Sequence, residues 1–424
     1  MIDGPLAKAA PAPTSPRPLT RAGVALGFAM LCVSYMVNAM DRQVFYPLLP
    51  EIRAEFGFSL GQGGLLATGF TLGMALVGLP TSYLMDRLGR KSVIVMSVVV
   101  YSLGTLAIPL AAGFADMGAY RLVSGVGEGM QATALYAVIG AYFFHRRAVA
   151  AGVVGVAFGA GVFLGPLIGN GLAGAWGGWR GPFHLFGAVG LGIAVLIVAT
   201  VSRTMTEAVT GTGTGTSAGG FDHVPATPYN RNTLGMGVAC AVTGLVNYGF
   251  LGLYPTFLRE HLGLDAGQAA LAVSFFGFGA MMALPAGWLG DRVNQRLLLA
   301  VGFVTTSGTA ALAYQYATSA PAQYVLAFLM GTFASGILFT NCTTAMQRAV
   351  RPELVGRGSG LFMLTYYVPA AFSGLLFARL VDALGWGGAG LWQLTVLPLL
   401  GLAGLALVDT SRMVVPSRAA VRGR

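Results

Sequence analysis

Four charged residues lie where this sequence carries almost no other charge. Asp41 and Arg42 adjoin within one long apolar run, and Arg121 and Glu128 share another. An arginine holds a carboxylate through parallel N–H donors and stays charged at any physiological pH. A carboxyl group close to it gains or loses a proton according to whether that arginine is engaged. These residue types therefore suit two tasks, anchoring an organic anion and carrying a proton with it. A lone charge at mid-bilayer costs about 2.5–3.5 kcal/mol on insertion scales, so four together imply mutual pairing and a water-filled cavity. Arg121 and Glu128 are seven positions apart, which puts them on one helix face at a separation of about 10 Å. Asp41 and Arg42 are adjacent and point about 100° apart, so one can face the helix of Arg121 and Glu128 while the other faces the cavity.

The second half of the chain offers neutral polar groups instead: Asn247 and Tyr248, Thr340 and Asn341, Tyr366 and Tyr367, and Gln393. Amides and phenols hydrogen-bond an oxygen-rich substrate without burying a charge. Asn247, Tyr248, Asn341, Tyr366 and Gln393 are accordingly expected at a substrate anchored by charge in the first half, although each also has a role available as helix glue.

The elements that must position these groups are membrane spans. Hydrophobic residues make up 55% of 424 positions and charged residues 9%, against roughly 25% charged in a soluble chain. Most of the surface must therefore face lipid. Glycine, 63 residues, fits helices whose backbones approach closely. Spans of about 20 apolar residues are read near 21–48, 60–84, 92–113, 117–143, 148–174 and 182–203. After a break they resume near 231–258, 267–289, 296–317, 321–347, 357–381 and 389–410. The expected fold is an all-α membrane protein with 12 transmembrane helices in two pseudo-symmetric six-helix bundles, 21–203 and 231–411. A Pro- and Ala-rich tail (1–20) precedes them and is expected to be disordered. A linker (204–230) with a Thr/Gly run joins them, and a basic tail (412–424) follows.

Lys and Arg decide the expected orientation. With both termini in the cytoplasm, 19 of 25 fall on that side, and the outer loops keep Arg53, Arg180, Arg259 and Arg379. Positive charge favours the inside. The net charge of +10 is thus a topology signal, and no nucleic-acid partner is expected. Cys32, Cys240 and Cys342 lie in apolar runs without ligand spacing, so no disulfide, metal site or cofactor is expected. The chain is expected to work as a monomer in the lipid bilayer.

The halves repeat. Residues 80–91 read PTSYLMDRLGRK and residues 285–296 read PAGWLGDRVNQR, which aligns Pro80 with Pro285, Leu84 with Leu289, Asp86 with Asp291 and Arg87 with Arg292. Both segments resemble the Gly-x-Leu-x-Asp-Arg-x-Gly-Arg-Lys/Arg signature of the major facilitator superfamily (MFS), with Ser82 in place of the first Gly and Gly287 keeping it. The resemblance implies the MFS fold, and a conformational latch of Asp86, Arg87, Arg90, Asp291 and Arg292 in which Asp86 pairs with a base and caps a neighbouring helix. Loops that only set topology are the plainer alternative.

Within that superfamily, Asn38-Ala-Met-Asp41-Arg42 together with Arg121-Leu-Val-Ser-Gly-Val-Gly-Glu128 resembles the anion:cation symporter branch. Members carry sugar acids, aromatic acids and other carboxylates with protons or sodium. The resemblance implies Arg42 as the anion anchor, Asp41 and Glu128 as proton carriers, and Arg121 tuning Glu128. The implied activity is proton-coupled uptake of a small organic anion by alternating access, the proton being the coupling ion. Spinster-type lipid transporters share a similar pattern. The series Gly152, Gly161, Gly165-Pro166, Gly169-Asn170 resembles the antiporter signature of drug exporters, and keeps proton-coupled export as the alternative. No enzyme is expected: His145, His184, His223 and His261 form no cluster, and no phosphate-binding Gly-Lys-Ser/Thr motif occurs.

Overall fold

The computed structural model describes residues 20–143, 147–207, 221, 223–351 and 354–414. The expected tail 1–19, most of the linker run 208–220 and the basic end 415–424 lie outside the described residues.

The first helix shows how the elements are set. The Thr20 hydroxyl accepts the Gly23 N–H at 3.1 Å and starts α1, Arg21–Phe56. At 36 residues it is about 54 Å long, well beyond the roughly 30 Å of a bilayer core. The sequence reading stops this span at 48, before Pro50 and the charges beyond it. The helix instead continues through Pro47 and Pro50 and ends at Gly57, whose N–H returns to the Arg53 carbonyl. Arg53 thus sits on a helix rather than in a loop.

The remaining described helices follow the expected order. In the first half they are α2 Leu60–Leu76, α3 Gly78–Leu88, α4 Arg90–Ala107, α5 Phe114–Tyr142, α6 Arg147–Trp176, α7 Arg180–Thr200 and the short α8 Arg203–Glu207. The second half holds α9 Arg231–Thr256, α10 Ala266–Ala280, α11 Ala283–Gly290, α12 Gln295–Gln315, α13 Ala320–Met330, α14 Thr340–Arg348, α15 Val355–Ala389 and α16 Leu397–Ala406. Wider π-type turns occupy Phe257–His261, Gly331–Phe339 and Gly390–Val396. No strand occurs among the described residues. Nine of these helical stretches are long and apolar enough to cross a membrane, or ten when α2 and α3, bent by 53°, form one span. The longest stretch, Val355–Ala406, has 52 residues, twice what a bilayer needs. It is interrupted at Gly385, whose φ of 72° and ψ of 174° no β-carbon-bearing residue adopts readily.

The packing is inverted relative to a water-soluble protein. α7 turns Val195, Leu196 and Val198 outward, while Ser34, Asn38, Asp41, Arg42, Arg121, Glu128 and Gln131 are buried. Apolar side chains face lipid, and polar ones meet each other inside. α1 packs on α6 and α7, and α4 on α5 and α7; α9 packs on α15 and α16, and α10 on α13. The two halves meet through α2 with α15, α6 with α10, and α1 with α9. Gly64 and Gly374 let α2 and α15 touch backbone to backbone, since a β-carbon on either would run into the other's carbonyl. The Thr68 hydroxyl donates to the Ala371 carbonyl at 2.9 Å in the same seam.

Candidate functional site

On α1, Ser34, Asn38 and Arg42 recur every fourth residue and so stack on one face. On α5, Ser124, Glu128 and Gln131, four and three residues apart, likewise share one face. The two faces meet in a continuous polar ladder. Arg42 Nε donates to Glu128 Oε2 at 2.7 Å and Arg42 Nη2 to Asn38 Oδ1 at 3.3 Å. Asn38 Nδ2 donates to Gln131 Oε1 at 2.9 Å, and Gln131 Nε2 to Ser34 Oγ at 2.7 Å. The Ser124 hydroxyl donates to Glu128 Oε1 at 3.2 Å. α6 holds α1 in place: β-carbons on Gly161 and Gly165 would collide with the backbones of Met36 and Met40. Of the glycine series that resembles an exporter signature, Gly161, Gly165 and Gly169 lie in this helix–helix contact, while Gly152 faces Leu284 of α11.

The structure specifies how the four charged residues are held, and it corrects one expectation. Glu128 is the partner of Arg42, whereas Asp41, beside Arg42 in the chain, turns the other way and accepts the Thr105 hydroxyl of α4 at 2.6 Å. The 100° step between neighbours on a helix separates them. Arg121 does not reach Glu128. Its Nε and Nη2 donate to the carbonyls of Leu66 and Ala67 on α2, both at 3.2 Å, and its guanidinium lies between the rings of Phe45 and Phe70 at 4.2 and 4.5 Å. Finally, the four charged residues are at most 3% exposed, so they are packed rather than set around a water-filled space. Pairing removes the need for water at Arg42 and Glu128, while carbonyls and aromatic faces serve Arg121.

Aromatic rings enclose the anchor. The Arg42 guanidinium lies 5.6 Å from Phe70 and 5.4 Å from Phe158, so Phe70 touches both buried arginines. Tyr35 packs against Phe158 at 5.3 Å. From the second half, Tyr248 meets Phe70 edge-on at 6.0 Å and also contacts Tyr366 and Tyr367. The Tyr366 hydroxyl receives Asn247 Nδ2 at 2.8 Å, and Asn247 Oδ1 is left unpartnered. Asn247, Tyr248 and Tyr366 thus adjoin the site. The other two candidates turn elsewhere. Asn341 donates to the carbonyls of Ala286 and Ile337, and Gln393 to those of Leu245 and Ser373. Their amides join helices of the second half. Sequence reasoning missed Ser34, Gln131, Ser124, Thr105 and Phe70; the four-residue spacings of Ser34, Asn38 and Arg42 and of Ser124 and Glu128 were the signals that could have found Ser34 and Ser124.

At the expected latch, Asp86 has no hydrogen bond or ion pair among the described residues, and Arg87 lies over Tyr83 at 4.5 Å. The N-terminus of α4 is capped instead by Glu207, whose carboxylate accepts the N–H groups of Arg90 and Lys91, each at 3.0 Å. The Arg90 side chain reaches the Thr206 carbonyl at 3.1 Å. In the second copy, Asp291 pairs with Arg348 at 2.5 Å and Arg292 lies over Trp288. The latch residues therefore sit in one region of each half, and the contacts of Arg87, Arg90, Asp291 and Arg292 stay within that half.

The sequence matches the profile of the Major Facilitator Superfamily over residues 31–374 and 236–422. The chain belongs to that superfamily. It is an integral, multi-pass membrane protein. This superfamily member is 26% identical over 367 residues to the cis,cis-muconate transport protein of Acinetobacter baylyi, covering 83% of this chain and 87% of that one. It is 25% identical to the probable sulfoacetate transporter of Cupriavidus necator, covering 84% and 87%. Matches to uncharacterized MFS-type transporters of Mycobacterium tuberculosis are 32% identical but span only 41% of this chain and 25% of theirs. Among solved structures, a bacterial homolog of the human lysosomal transporter Spinster, inward-facing and unoccupied, superposes with a TM-score of 0.73 at 19% identity, covering 93% and 97%. That likeness concerns the fold.

Proposed function

We propose that this MFS member is a secondary active transporter of twelve spans which takes up a small organic carboxylate together with protons. The observation that carries the reading is the buried Arg42–Glu128 pair, 2.7 Å long. Arg42 already holds a carboxylate, so the geometry suits another carboxylate that takes its place. The relatives named for muconate and sulfoacetate favour an acidic substrate.

The cycle follows from that competition. An incoming carboxylate engages Arg42 and displaces Glu128. A carboxylate buried without its cation is expensive, and a proton arriving on Glu128 removes that cost. Asn38 keeps its hydrogen bond to Arg42 Nη2 and holds the guanidinium while the partner changes. Asp41, which accepts the Thr105 hydroxyl and forms no ion pair among the described residues, serves as the second proton carrier. Asn247, Tyr248 and Tyr366 supply polar contacts from the second half. The twelve spans are the counted stretches with α2 and α3 as one, the Gly385 break making two, and α5 added for its length despite its charges.

Both termini are placed in the cytoplasm. With that placement 19 of the 25 Lys and Arg residues fall on the cytoplasmic side, as the positive-inside bias favours. The joined ends of α1 and α9 are then the closed outer mouth, and the chain faces inward. The testing experiment is uptake of labelled cis,cis-muconate, a hexuronate and sulfoacetate into proteoliposomes with an acidic exterior. Accumulation that collapses with the pH gradient supports the reading. Substrate driven outward by the same gradient would replace it with export.

A further inference from the structure

The two repeats keep register except over one stretch that begins near the mouth formed by α1 and α9. Asp86 and Asp291 are 205 positions apart, and so are Pro50 and Pro255. Just past Pro255 the spacing becomes 206, and it is 205 again by Pro80 and Pro285. Gly57 and Gly263, each with positive φ (65° and 69°), end the paired helices. Ser59 and Asp265 cap the next ones, each in a capping box with a glutamine three residues on, Gln62 and Gln268. The extra residue is absorbed by the π-type turn Phe257–His261, where α1 has ordinary helix to Phe56. One inserted residue rotates the succeeding turn by about 100°. Aromatic packing holds the turn in place, with Phe257 stacked on Tyr314 at 4.3 Å and against Trp386 at 5.7 Å.

The insertion carries Arg259 and Glu260, and both reach α1. Arg259 pairs with Glu51, and Arg53 Nη1 donates to Glu260 Oε1 at 2.7 Å. The pairs cross, since each helix contributes one acid and one base. Among the described residues these are the two ion pairs that join the repeats; the others, Arg42–Glu128, Arg180–Glu55, Arg348–Asp291 and Arg412–Asp409, stay within one half. The crossed pairs are not built for permanent hold. Glu260 is 43% and Glu51 37% exposed at the side chain, and Glu51 Oε2 and Arg53 Nε have no partner. Exposed pairs of this kind are weak and salt-sensitive.

We infer that Glu51, Arg53, Arg259 and Glu260 form a charge clasp, created by the π insertion, that keeps this mouth shut and sets how often it opens. The clasp rests on the alternating-access part of the proposed function and not on the substrate. It acts only while the mouth is closed, because parting α1 from α9 at this end breaks both pairs, and a contact present in one state shifts the balance toward it.

The test needs no substrate. Ala54 lies in the last turn of α1 and Ala266 begins α10, and Cys32, Cys240 and Cys342 are buried, so Ala54→Cys and Ala266→Cys take spin labels selectively. Distances are read by double electron–electron resonance on the full chain in nanodiscs. Arg53→Glu should move the ratio of short to long distances toward long by about tenfold, and Glu260→Arg should do the same. The combined Arg53→Glu/Glu260→Arg swap should restore the original distribution, which a general loss of packing would not do. Unchanged distances in the single variants overturn the clasp, as does a swap no more closed than they are. If a charge reversal prevents folding, unmodified pairs are measured at low salt and at roughly 1 M salt. A shift toward long distances with salt supports the clasp, and constancy overturns it.

Discussion

Arg42 and Glu128, 86 positions apart in the chain, are joined by a buried hydrogen bond of 2.7 Å, while Asp41, the immediate neighbour of Arg42, bonds to Thr105 on another helix. The site is therefore organised across helices rather than along one. Breaking a buried pair from one side leaves the other charge uncompensated, at about 3–5 kcal/mol. Arg42→Gln and Glu128→Gln should each lower thermal stability sharply in detergent. Arg42→Gln combined with Glu128→Gln should recover much of the loss, because no charge is stranded. A double-mutant cycle on unfolding temperatures measures this coupling, and additive losses would mean the pair is not formed.

Asp41→Asn keeps the shape of the side chain and an acceptor for the Thr105 hydroxyl, so stability should change by less than about 1 kcal/mol. The proton it carries is lost, however. A pH-sensitive dye inside proteoliposomes should show slower substrate-linked proton entry in Asp41→Asn, while exchange of labelled for unlabelled substrate persists. Proton entry at the wild-type rate would remove Asp41 from the coupling scheme.

Arg121 is expected to matter for packing. Its guanidinium bridges two carbonyls of α2 and lies between two rings, a geometry that a lysine ammonium does not reproduce. Arg121→Lys should destabilise the chain by about 1–3 kcal/mol, measured by thermal unfolding, and leave anion affinity within a few-fold. A selective loss of affinity with unchanged stability would place Arg121 at the substrate instead.

Glu207 is a further test of local structure. Removing a helix cap costs about 1 kcal/mol. Glu207→Ala should do so by freeing the Arg90 and Lys91 N–H groups, with faster amide exchange at the start of α4. Unchanged exchange there would show that the cap is dispensable.

The sequence made the helices legible because each span is an apolar run closed by charge, glycine or a capping residue, and those signals are local. The boundaries of α12, Gln295–Gln315, and α7, Arg180–Thr200, lie close to the reading. The first helix overran it because Pro50 and Glu51 look like an ending, although a helix that continues beyond the bilayer can hold both. The site was legible by residue type, since a charge in an apolar run is conspicuous. Its partners were not. Nothing along the chain distinguishes Thr105 or Phe70 from other buried threonines and phenylalanines, and facing across helices depends on rotation about each axis. Likewise Asn341 and Gln393 resemble Asn247 in type and setting, yet their amides are taken by backbone carbonyls.

The central claim is that a substrate carboxylate takes Arg42 from Glu128, which then takes up a proton. Its most direct measurement is the pH change on adding an anion to purified protein in weakly buffered nanodiscs, with cis,cis-muconate, a hexuronate and sulfoacetate as probes and binding followed by calorimetry. Binding to the wild type should draw protons from solution in proportion to anion bound. Glu128→Gln should still bind but draw fewer or none, and Arg42→Ala should do neither. Anion binding with no proton uptake by the wild type, or with full uptake by Glu128→Gln, would contradict the exchange at Arg42.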